Sequence, residues 1–204
     1  MFFLNQRGRK KGADGTKSRE LFLTIAKEEF ANNGYHETKV STIVEKAGLT
    51  QPSFYLYFQS KQAIFQEILD SFRIKLTDLT TQSRLSPGID EHALEDRIAG
   101  GLSAIFKFFA ENIHLTIIGF YMSAEADDIK EKMANQIKDN LLYEQEIGYF
   151  HLHLDMKFVS ESLVGMIEYL TKTQLFTGLK EPQALAKDIV QILLYGMTRG
   201  KNEI

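Results

Sequence analysis

The amino-acid sequence predicts an all-α protein. Only three prolines interrupt its 204 residues, and apolar residues recur at three- and four-residue steps through most of the chain. No segment alternates apolar and polar residues between hairpin turns, as strands would. With 44% hydrophobic and 25% charged residues, the chain is apolar enough to fold as one large domain or two small ones. The absence of cysteine excludes disulfides, thiol nucleophiles and cysteine-ligated metal centres.

Local signals in the first third of the sequence predict three helices. Apolar residues at helical spacing from Leu21 to Phe30 predict a helix of about 16 residues that ends at Gly34, where glycine supplies the left-handed cap. A second, short helix begins at Ser41 and stops at Gly48. A third is predicted soon after, because the segment Thr-Gln-Pro combines a good N-cap with a proline in the first turn, where its missing N–H costs nothing.

Longer helices are predicted in the rest of the chain. After Ser60 an apolar stripe extends to about residue 80, and the Ser-Pro-Gly segment that ends at Gly88 predicts a loop. Further helices are predicted with breaks at Asn112, at Ala126 and at two glycine-containing segments, so that they lie near residues 91–112, 115–125, 127–148, 156–176 and 182–198. The whole chain is therefore predicted to hold about nine helices.

Charge is distributed unevenly along the chain. The net charge is −3, but residues 1–61 hold 10 Lys/Arg against 6 Asp/Glu, whereas residues 62–204 hold 14 against 21. Four of the first eleven residues are basic and none is acidic. This composition predicts a flexible basic arm over residues 1–15. Such an arm suits contact with polyanions, but composition alone favours a solubilising tail.

Residues 41–58 have the layout of a helix-turn-helix DNA reader. Two short amphipathic helices are joined at Gly48, where the tight turn needs a left-handed backbone that glycine adopts without strain. The side chains that open the second of these helices are small, polar and uncharged. A glutamine amide bonds bidentately to adenine, hydroxyls serve donors or acceptors, and a proline ring meets a thymine methyl. The predicted base-reading residues are Thr50, Gln51, Pro52 and Ser53.

Residues 16–69 resemble the N-terminal headpiece of the tetracycline-repressor (TetR) family of bacterial transcriptional regulators. The resemblance rests on positions spread over most of this segment, namely Ala26, Phe30, Gly34-Tyr35, Thr38, Ile43, Ala47-Gly48, Tyr55, Tyr57-Phe58 and Ser60-Lys61. Two positions depart from the family pattern, since Pro52 replaces the usual glycine and Phe54 replaces the usual leucine. Neither departure threatens the fold, and both leave the operator sequence open.

The resemblance implies a homodimer in which each headpiece enters one half-site of a partly palindromic, double-stranded DNA operator. Such a protein is a ligand-responsive transcriptional regulator, a repressor foremost, that a small-molecule effector releases from DNA. The resemblance divides the chain into the basic arm, a helix-turn-helix domain over residues 16–62, and an effector-binding and dimerisation domain over residues 63–204. Phosphate contacts are then expected from the start of the second helix and from side chains around the recognition helix. The residues concerned are Ser41, Thr42, Tyr55, Tyr57 and Lys61.

The C-terminal domain is rich in aromatic and methionine side chains, most of which must form its core. In the architecture that the resemblance implies, the middle helices also enclose a ligand cavity, and such a lining suits a mostly hydrophobic effector, apolar or aromatic. The expected effector contacts are Phe106, Phe109, Phe120, Tyr121, Tyr143, Met166 and Tyr169. Apolar stripes on the last two helices predict dimerisation across a two-fold axis. The expected interface residues are Leu163, Ile167, Leu170, Ile189 and Leu193.

Two other functions stay open on the sequence alone. Glu111 and His114 have the spacing used in ferritin-like di-iron bundles, but that site needs two such motifs and the sequence holds one. A ligand-independent activator would carry the same DNA-binding signals as a repressor. We predict a protein that is not an enzyme, with no catalytic residue, no metal and no cofactor.

No membrane or export signal is recognised in the sequence. The uncharged run over residues 112–124 has 13 residues, against the roughly 20 that a membrane-spanning helix needs. The N-terminus carries its charges after its apolar residues, which is the reverse of a secretory signal. A cytoplasmic bacterial protein without membrane contact is therefore expected.

Overall fold

The computed structural model describes residues 13–197, and every regular element within that range is helical. The helices are α1 (Ala13–Glu37), α2 (Val40–Lys46), α3 (Gln51–Tyr55), α4 (Lys61–Gln82), α5 (Glu91–Glu111), α6 (Ile113–Thr116), α7 (Ala126–Glu146), α8 (Met156–Leu170) and α9 (Pro182–Tyr195). Two π-helical segments, Ile117–Met122 and Thr171–Leu175, continue α6 and α8. The predicted all-α fold is confirmed. Residues 1–12 of the expected basic arm lie outside the described residues, and residues 13–15 already belong to α1.

The ends of the N-terminal helices follow local chemistry. Gly34 interrupts the helical backbone of α1 with φ 81°, at the position where the sequence predicts a stop. Gly48 has φ 63° in the turn between α2 and α3, so it adopts the left-handed conformation that the tight turn needs. Ser60 accepts a hydrogen bond from the Ala63 amide at 3.0 Å and so satisfies one of the free N–H groups at the start of α4.

The two π-helical segments are a feature that the apolar pattern does not predict. The helices expected at residues 115–125 and 156–176 each begin as α-helix and then widen. In the first of these segments Gly119 lies against the ring of Phe72, so closely that an added Cβ would stand 2.6 Å from Cγ of that ring. Ala126, expected as a break, is the first residue of α7.

The chain divides into two compact units between Ile68 and Leu69, inside α4, a few residues after the domain boundary expected at residue 62. The N-terminal unit contains α1, α2 and α3, together with the first turns of α4. Its core consists mainly of fully buried aromatic and branched side chains, among them Phe22, Phe30, Ile43, Phe54, Phe58, Ile64 and Ile68.

In the C-terminal unit, α5 packs mainly against α9, and α7 packs against α8. Its core is dominated by buried phenylalanines, Phe72, Phe106, Phe108, Phe109 and Phe120, and Phe72 stacks on both Phe108 and Phe109. Among residues 13–197 no single helix is long and apolar enough to cross a membrane. One pair of helical segments, 92–111 and 113–122, meets the length and composition needed only when taken together, and it is bent by 103°.

Candidate nucleic-acid interface and effector cavity

The start of α3 is held by a reciprocal cap. Thr50 has an extended backbone, and its hydroxyl accepts from the Ser53 amide at 3.4 Å. The Ser53 hydroxyl in turn accepts from the Thr50 amide at 3.2 Å and donates to the Thr50 carbonyl at 2.6 Å. These bonds satisfy amides that would otherwise be free at the helix start. Because Ser53 donates its single proton to the backbone, it is less available to a base edge than Thr50, whose hydroxyl proton is not used in the cap.

The residues between the two capping residues, Thr50 and Ser53, face solvent. Gln51 and Pro52 are exposed. Tyr55 and Leu56, at the C-terminal end of the short helix, are 49% and 80% exposed. This surface carries no charged side chain and presents one amide and one proline ring next to each other. Leu56 is absent from the predicted site, although the helical spacing of the buried rings at Phe54 and Phe58 already indicates that the residue between them faces outward.

Phe54 anchors α3 from beneath. Its side chain is fully buried and meets Phe22 of α1 edge-to-face, with ring centroids 5.4 Å apart. Phe58 lies 5.5 Å from Phe54 on the same side. The large side chain at position 54, where the TetR family usually has leucine, is thus accommodated in the core of this unit and does not alter the exposed face of α3.

The structure gives Lys61 a different role from the predicted phosphate contact. Its ammonium group donates to the carbonyl oxygens of Tyr35 at 2.7 Å, His36 at 3.2 Å and Thr38 at 2.9 Å. It also lies 4.5 Å from the centroid of the Tyr35 ring. An ammonium has three protons, so all three are used. Lys61 therefore ties the start of α4 to the C-terminal end of α1, and the phosphate contact expected for it is not supported.

The remaining expected phosphate contacts lie at or near the surface of the N-terminal unit. Ser41 is exposed and Thr42 is half-buried in the first turn of α2. Tyr57 packs its ring on Phe22, with centroids 6.3 Å apart, and is half-buried. Sequence reasoning missed Lys39, which is exposed at the N-cap of α2 next to these hydroxyls. Its position two residues before the helix start predicted at Ser41 was the signal that would have identified it.

Three of the seven residues expected to line an effector cavity are fully buried core residues. Phe106, Phe109 and Phe120 are fully buried, and the last two pack on each other with centroids 5.2 Å apart. Phe72 of α4 stacks on Phe109, with ring centroids 6.0 Å apart. The three rings therefore belong to the packed core of this unit, and their role as effector contacts stays a prediction.

The other four expected effector contacts have different surroundings. Tyr169 is 69% exposed, and Tyr143 stacks under the guanidinium of Arg84 at 3.7 Å. Tyr121 donates to the Glu168 carbonyl at 2.7 Å, and burial together with the nearby Glu168 carboxylate raises the pKa of Tyr121 to about 12. Met166 lies in an open groove between α8 and α9. The structure therefore does not bring these residues together around one ligand.

A different cavity in the C-terminal unit contains a buried polar group. It lies between α5, α7, α8 and α9, has a volume of about 90 Å³, and is lined mostly by aliphatic side chains. Glu144 of α7 lies at its edge with only 5% of its surface exposed, and accepts from the Leu85 amide at 2.7 Å. Burial raises the pKa of Glu144, while the Leu85 amide and the nearby Arg84 act in the opposite direction.

Sequence reasoning missed Glu144 and its neighbour in the cavity wall, Asn140, but the sequence contains a signal for both. The buried face of α7 recurs at helical spacing through Met133 and Ile137, and the next two positions of the same face are Asn140 and Glu144. Polar residues at positions where the pattern calls for apolar ones are expected where a buried polar group has a specific partner or a function.

The predicted dimer residues divide into buried and accessible ones. Ile167 and Ile189 are covered by their own chain, with 0% and 1% of their surfaces exposed. They belong to the internal packing of α8 and α9, so their assignment to an interface is corrected. Leu163 is half-buried and lines the Glu144 cavity. Leu170 borders the open α8–α9 groove, and Leu193 is 39% exposed.

A set of large apolar side chains on the outer sides of α8 and α9 is exposed instead. These are Phe158, Tyr169, Ile192 and Tyr195, with 69%, 69%, 52% and 64% of their surfaces accessible. The groove between the two helices has a volume of about 670 Å³ and is lined largely by apolar atoms, including those of Met166, Leu170 and Ile192. We call these residues and the groove the α8–α9 face.

No group of three or more His, Asp and Glu side chains that could hold a metal ion occurs within the described part of the chain. His151 and His153 stack on each other with centroids 5.4 Å apart in the exposed loop before α8. The leucine between them, Leu152, is 82% exposed, so its side chain faces solvent.

Comparison with known proteins identifies the family. The model of bacterial regulatory proteins of the tetR family matches residues 22–68. The Bacillus subtilis (strain 168) HTH-type transcriptional regulator YdgC is 45% identical to this chain over 190 residues, which cover 93% of this chain and 97% of that protein. The chain belongs to the TetR family. As a TetR-family protein it is a helix-turn-helix DNA-binding transcriptional regulator and not an enzyme.

More distant relatives and solved TetR-type structures agree with this fold. The fatty acid metabolism regulator protein of Bacillus subtilis (strain 168) is 25% identical over 185 residues, covering 86% of this chain and 93% of that protein. The structure of the fatty acid degradation regulator FadR from Bacillus halodurans matches with a TM-score of 0.67 at 23% identity, covering 94% of this chain and all of that one. FadR from Bacillus subtilis, solved in complex with stearoyl-CoA, matches with a TM-score of 0.65 at 21% identity and covers 88% and 99% of the two chains.

Proposed function

We propose that this TetR-family regulator is a ligand-responsive repressor that binds a partly palindromic operator as a homodimer. The observation that carries the proposal is the exposed tip of α3. Its backbone is fixed by the Thr50–Ser53 cap, and Gln51 and Pro52 project from it without any charged neighbour in the same turn. A rigid, neutral tip reads base edges in the major groove, whereas a charged and mobile one would bind phosphates without regard to sequence.

Base reading is assigned to Gln51 and Pro52 first, with Thr50 as a further hydroxyl contact. Phosphate contacts are assigned to the first turn of α2, through Ser41 and Thr42, with Tyr55 and Tyr57 on the other side of α3. The exposed ammonium of Lys39 replaces Lys61 in this set. Each of these side chains carries a hydroxyl or ammonium donor, which is what phosphate oxygens require.

The α8–α9 face is assigned to dimerisation. Its exposed apolar side chains form a surface that a second copy of the chain would cover, and two recognition helices of a dimer must lie about 34–36 Å apart to enter successive major grooves. Replacing Ile192, which is 52% exposed, by glutamate should convert the dimer to a monomer in light-scattering measurements. The control is the same replacement at Ile74 of α4, which is 64% exposed and outside the face. Loss of the dimer in both variants, or in neither, would contradict the assignment.

Effector binding is assigned to the C-terminal unit, and α4 is the element that connects it with the DNA-reading unit. This helix is continuous over 22 residues, which is about 33 Å at 1.5 Å per residue. Its first residue is bonded to α1 through Lys61, and its last turn is bonded to α7 because Asn140 donates to the Thr80 carbonyl at 2.8 Å. A ligand that alters the second anchor shifts the protein towards a conformation with different operator affinity, by no more than its own preference for that conformation.

A mostly apolar effector fits the aliphatic cavity, and FadR of Bacillus subtilis with its stearoyl-CoA is a relative that takes an apolar chain.

The test is the selection of bound duplexes from a random DNA library. A two-fold symmetric consensus is expected, and Gln51→Ala should relax the preference at one base pair in each half-site by about 1–3 kcal/mol. The matched control is Gln183→Ala, at an exposed glutamine on α9. An asymmetric or absent consensus would refute the proposal. A consensus that Gln51→Ala leaves unchanged would refute the assignment of base reading to the tip of α3.

A further inference from the structure

The Glu144 cavity has a chemistry that selects among apolar ligands. Its wall is formed by aliphatic and aromatic side chains from four helices, including Ile98, Leu102 and Ile105 on successive turns of α5. Only three of the lining residues are polar, Ser83, Asn140 and Glu144. The ligand's polar end must therefore meet one of these three side chains.

Two of the three polar side chains already donate to the same backbone oxygen. The Ser83 hydroxyl donates to the Thr80 carbonyl at 2.7 Å, and the Asn140 amide donates to it at 2.8 Å. The amide oxygen of Asn140 accepts from Gln136 at 3.1 Å. These hydrogen bonds hold the end of α4 and use the donor of Ser83 and one lone pair of Asn140. Among the three polar lining side chains, Glu144 has the largest acceptor capacity, since a carboxylate offers two oxygens.

Glu144 has more acceptor capacity than its described partners use. A carboxylate offers about four lone-pair positions, and the hydrogen bond described for it is the one from the Leu85 amide to Oε1. A carboxylate at this depth pays a desolvation cost that a donor from a ligand would offset. A ligand carboxylate or phosphate placed here would instead face a second negative charge in a medium of low dielectric constant.

The geometry points to this cavity as the effector site, with Glu144 as the group that selects an apolar ligand ending in an ammonium or a hydroxyl and rejects one ending in a carboxylate. This inference rests on the proposed function only in taking the C-terminal unit to bind an effector. The volume of about 90 Å³ is below the roughly 150 Å³ of an engineered cavity that takes benzene. The lining from Ile98 to Ile105 extends about 10 Å along α5. A short aliphatic chain, smaller than benzene, therefore suits this volume.

The test is calorimetric titration of the full-length protein, without DNA, with three probes that share one short carbon chain, butylamine, butanol and butanoate. The wild type is expected to bind the amine and the alcohol at least tenfold more tightly than the carboxylate. In Glu144→Gln the affinity for butylamine should fall at least tenfold, while that for butanol should change less than threefold, because the amide oxygen still accepts from a hydroxyl. Glu146→Gln, an exposed glutamate on the same helix, should leave all three affinities unchanged.

A second variant tests whether the probes bind inside this cavity. Ile98→Phe adds carbon atoms to the cavity wall without touching Glu144, and it should abolish binding of all three probes while the protein keeps the helical circular dichroism of the wild type. Equal or tighter binding of butanoate, unchanged butylamine binding in Glu144→Gln, retained binding in Ile98→Phe, or no binding of any probe would each overturn the inference. None of these outcomes bears on operator binding, which the duplex selection measures separately.

Discussion

Replacing Lys61 by methionine separates a structural role from a DNA contact. The methionine keeps most of the aliphatic stem and removes the ammonium that donates to three carbonyls near the end of α1. A hydrogen bond from a charged donor contributes about 1.5–3 kcal/mol net. Three such hydrogen bonds, fully shielded from water, would therefore contribute at least about 4.5 kcal/mol. Lys61 is only half-buried, and water reaches part of the site. We expect the variant to lose about 2 kcal/mol of unfolding free energy.

The assay combines urea denaturation with operator binding measured at several salt concentrations. Each phosphate contact contributes about 0.9 to the slope of log K against log salt concentration. Because the Lys61 protons are used inside the protein, the slope of Lys61→Met should equal that of the wild type. The control is Lys39→Met, whose side chain is exposed at the N-cap of α2. It should reduce the slope by about 0.9 and change stability by no more than about 0.5 kcal/mol. A reduced slope with unchanged stability for Lys61→Met would refute the reasoning.

Three further predictions concern stability. Gly119→Ala should cost about 1–3 kcal/mol, measured by thermal or urea unfolding, because its methyl would meet the Phe72 ring; Gly100→Ala, in a helix with open space around it, should instead add about 0.4–1 kcal/mol. Thr50→Ala should cost about 0.5–2 kcal/mol through loss of the α3 cap, and Thr50→Ser should restore most of it. Because burial raises the pKa of Glu144 above its ordinary value of 4.5, the folded state holds that proton more tightly than the unfolded state. The contribution of this group to stability is then fully present below about pH 4.5 and is lost as the pH rises through the folded-state pKa. Glu144→Gln should remove this part of the pH dependence, and an unchanged pH profile would contradict it.

The N-terminal unit follows closely from its sequence because its helix ends are set by local chemistry. Glycine at positions 34 and 48 has positive φ where the chain must turn. Thr50 caps α3 through neighbours three residues away. These signals act over three or four residues and need no knowledge of the rest of the chain. What the sequence could not give was the partner of Lys61, since its three acceptors lie 23 to 26 residues earlier in the chain.

In the C-terminal unit the sequence identified apolar residues but not what covers each of them. Ile167 and Ile189 have the same helical spacing as an interface stripe, yet they pack inside their own chain. A helix that packs against its own domain and against a second copy has two apolar faces, and periodicity does not distinguish them. The aromatic side chains pose the same difficulty. Phe109 and Phe120 suit a ligand cavity by composition, but they pack on each other, and the group that faces the cavity is a glutamate.

The hydrogen bonds around the end of α4 also limit how strongly one ligand can act. If a ligand donor competes with the Leu85 amide for Glu144, it exchanges one hydrogen bond for another, and the net contribution of one such bond is about 0.5–1.5 kcal/mol. A shift of about 1.4 kcal/mol changes operator affinity about tenfold. In a dimer with both cavities occupied the two contributions combine, so the change reaches about a hundredfold. A larger response requires the ligand to displace the Asn140 bond to Thr80 as well, because that bond lies at the same edge of the cavity and holds the last turn of α4 directly.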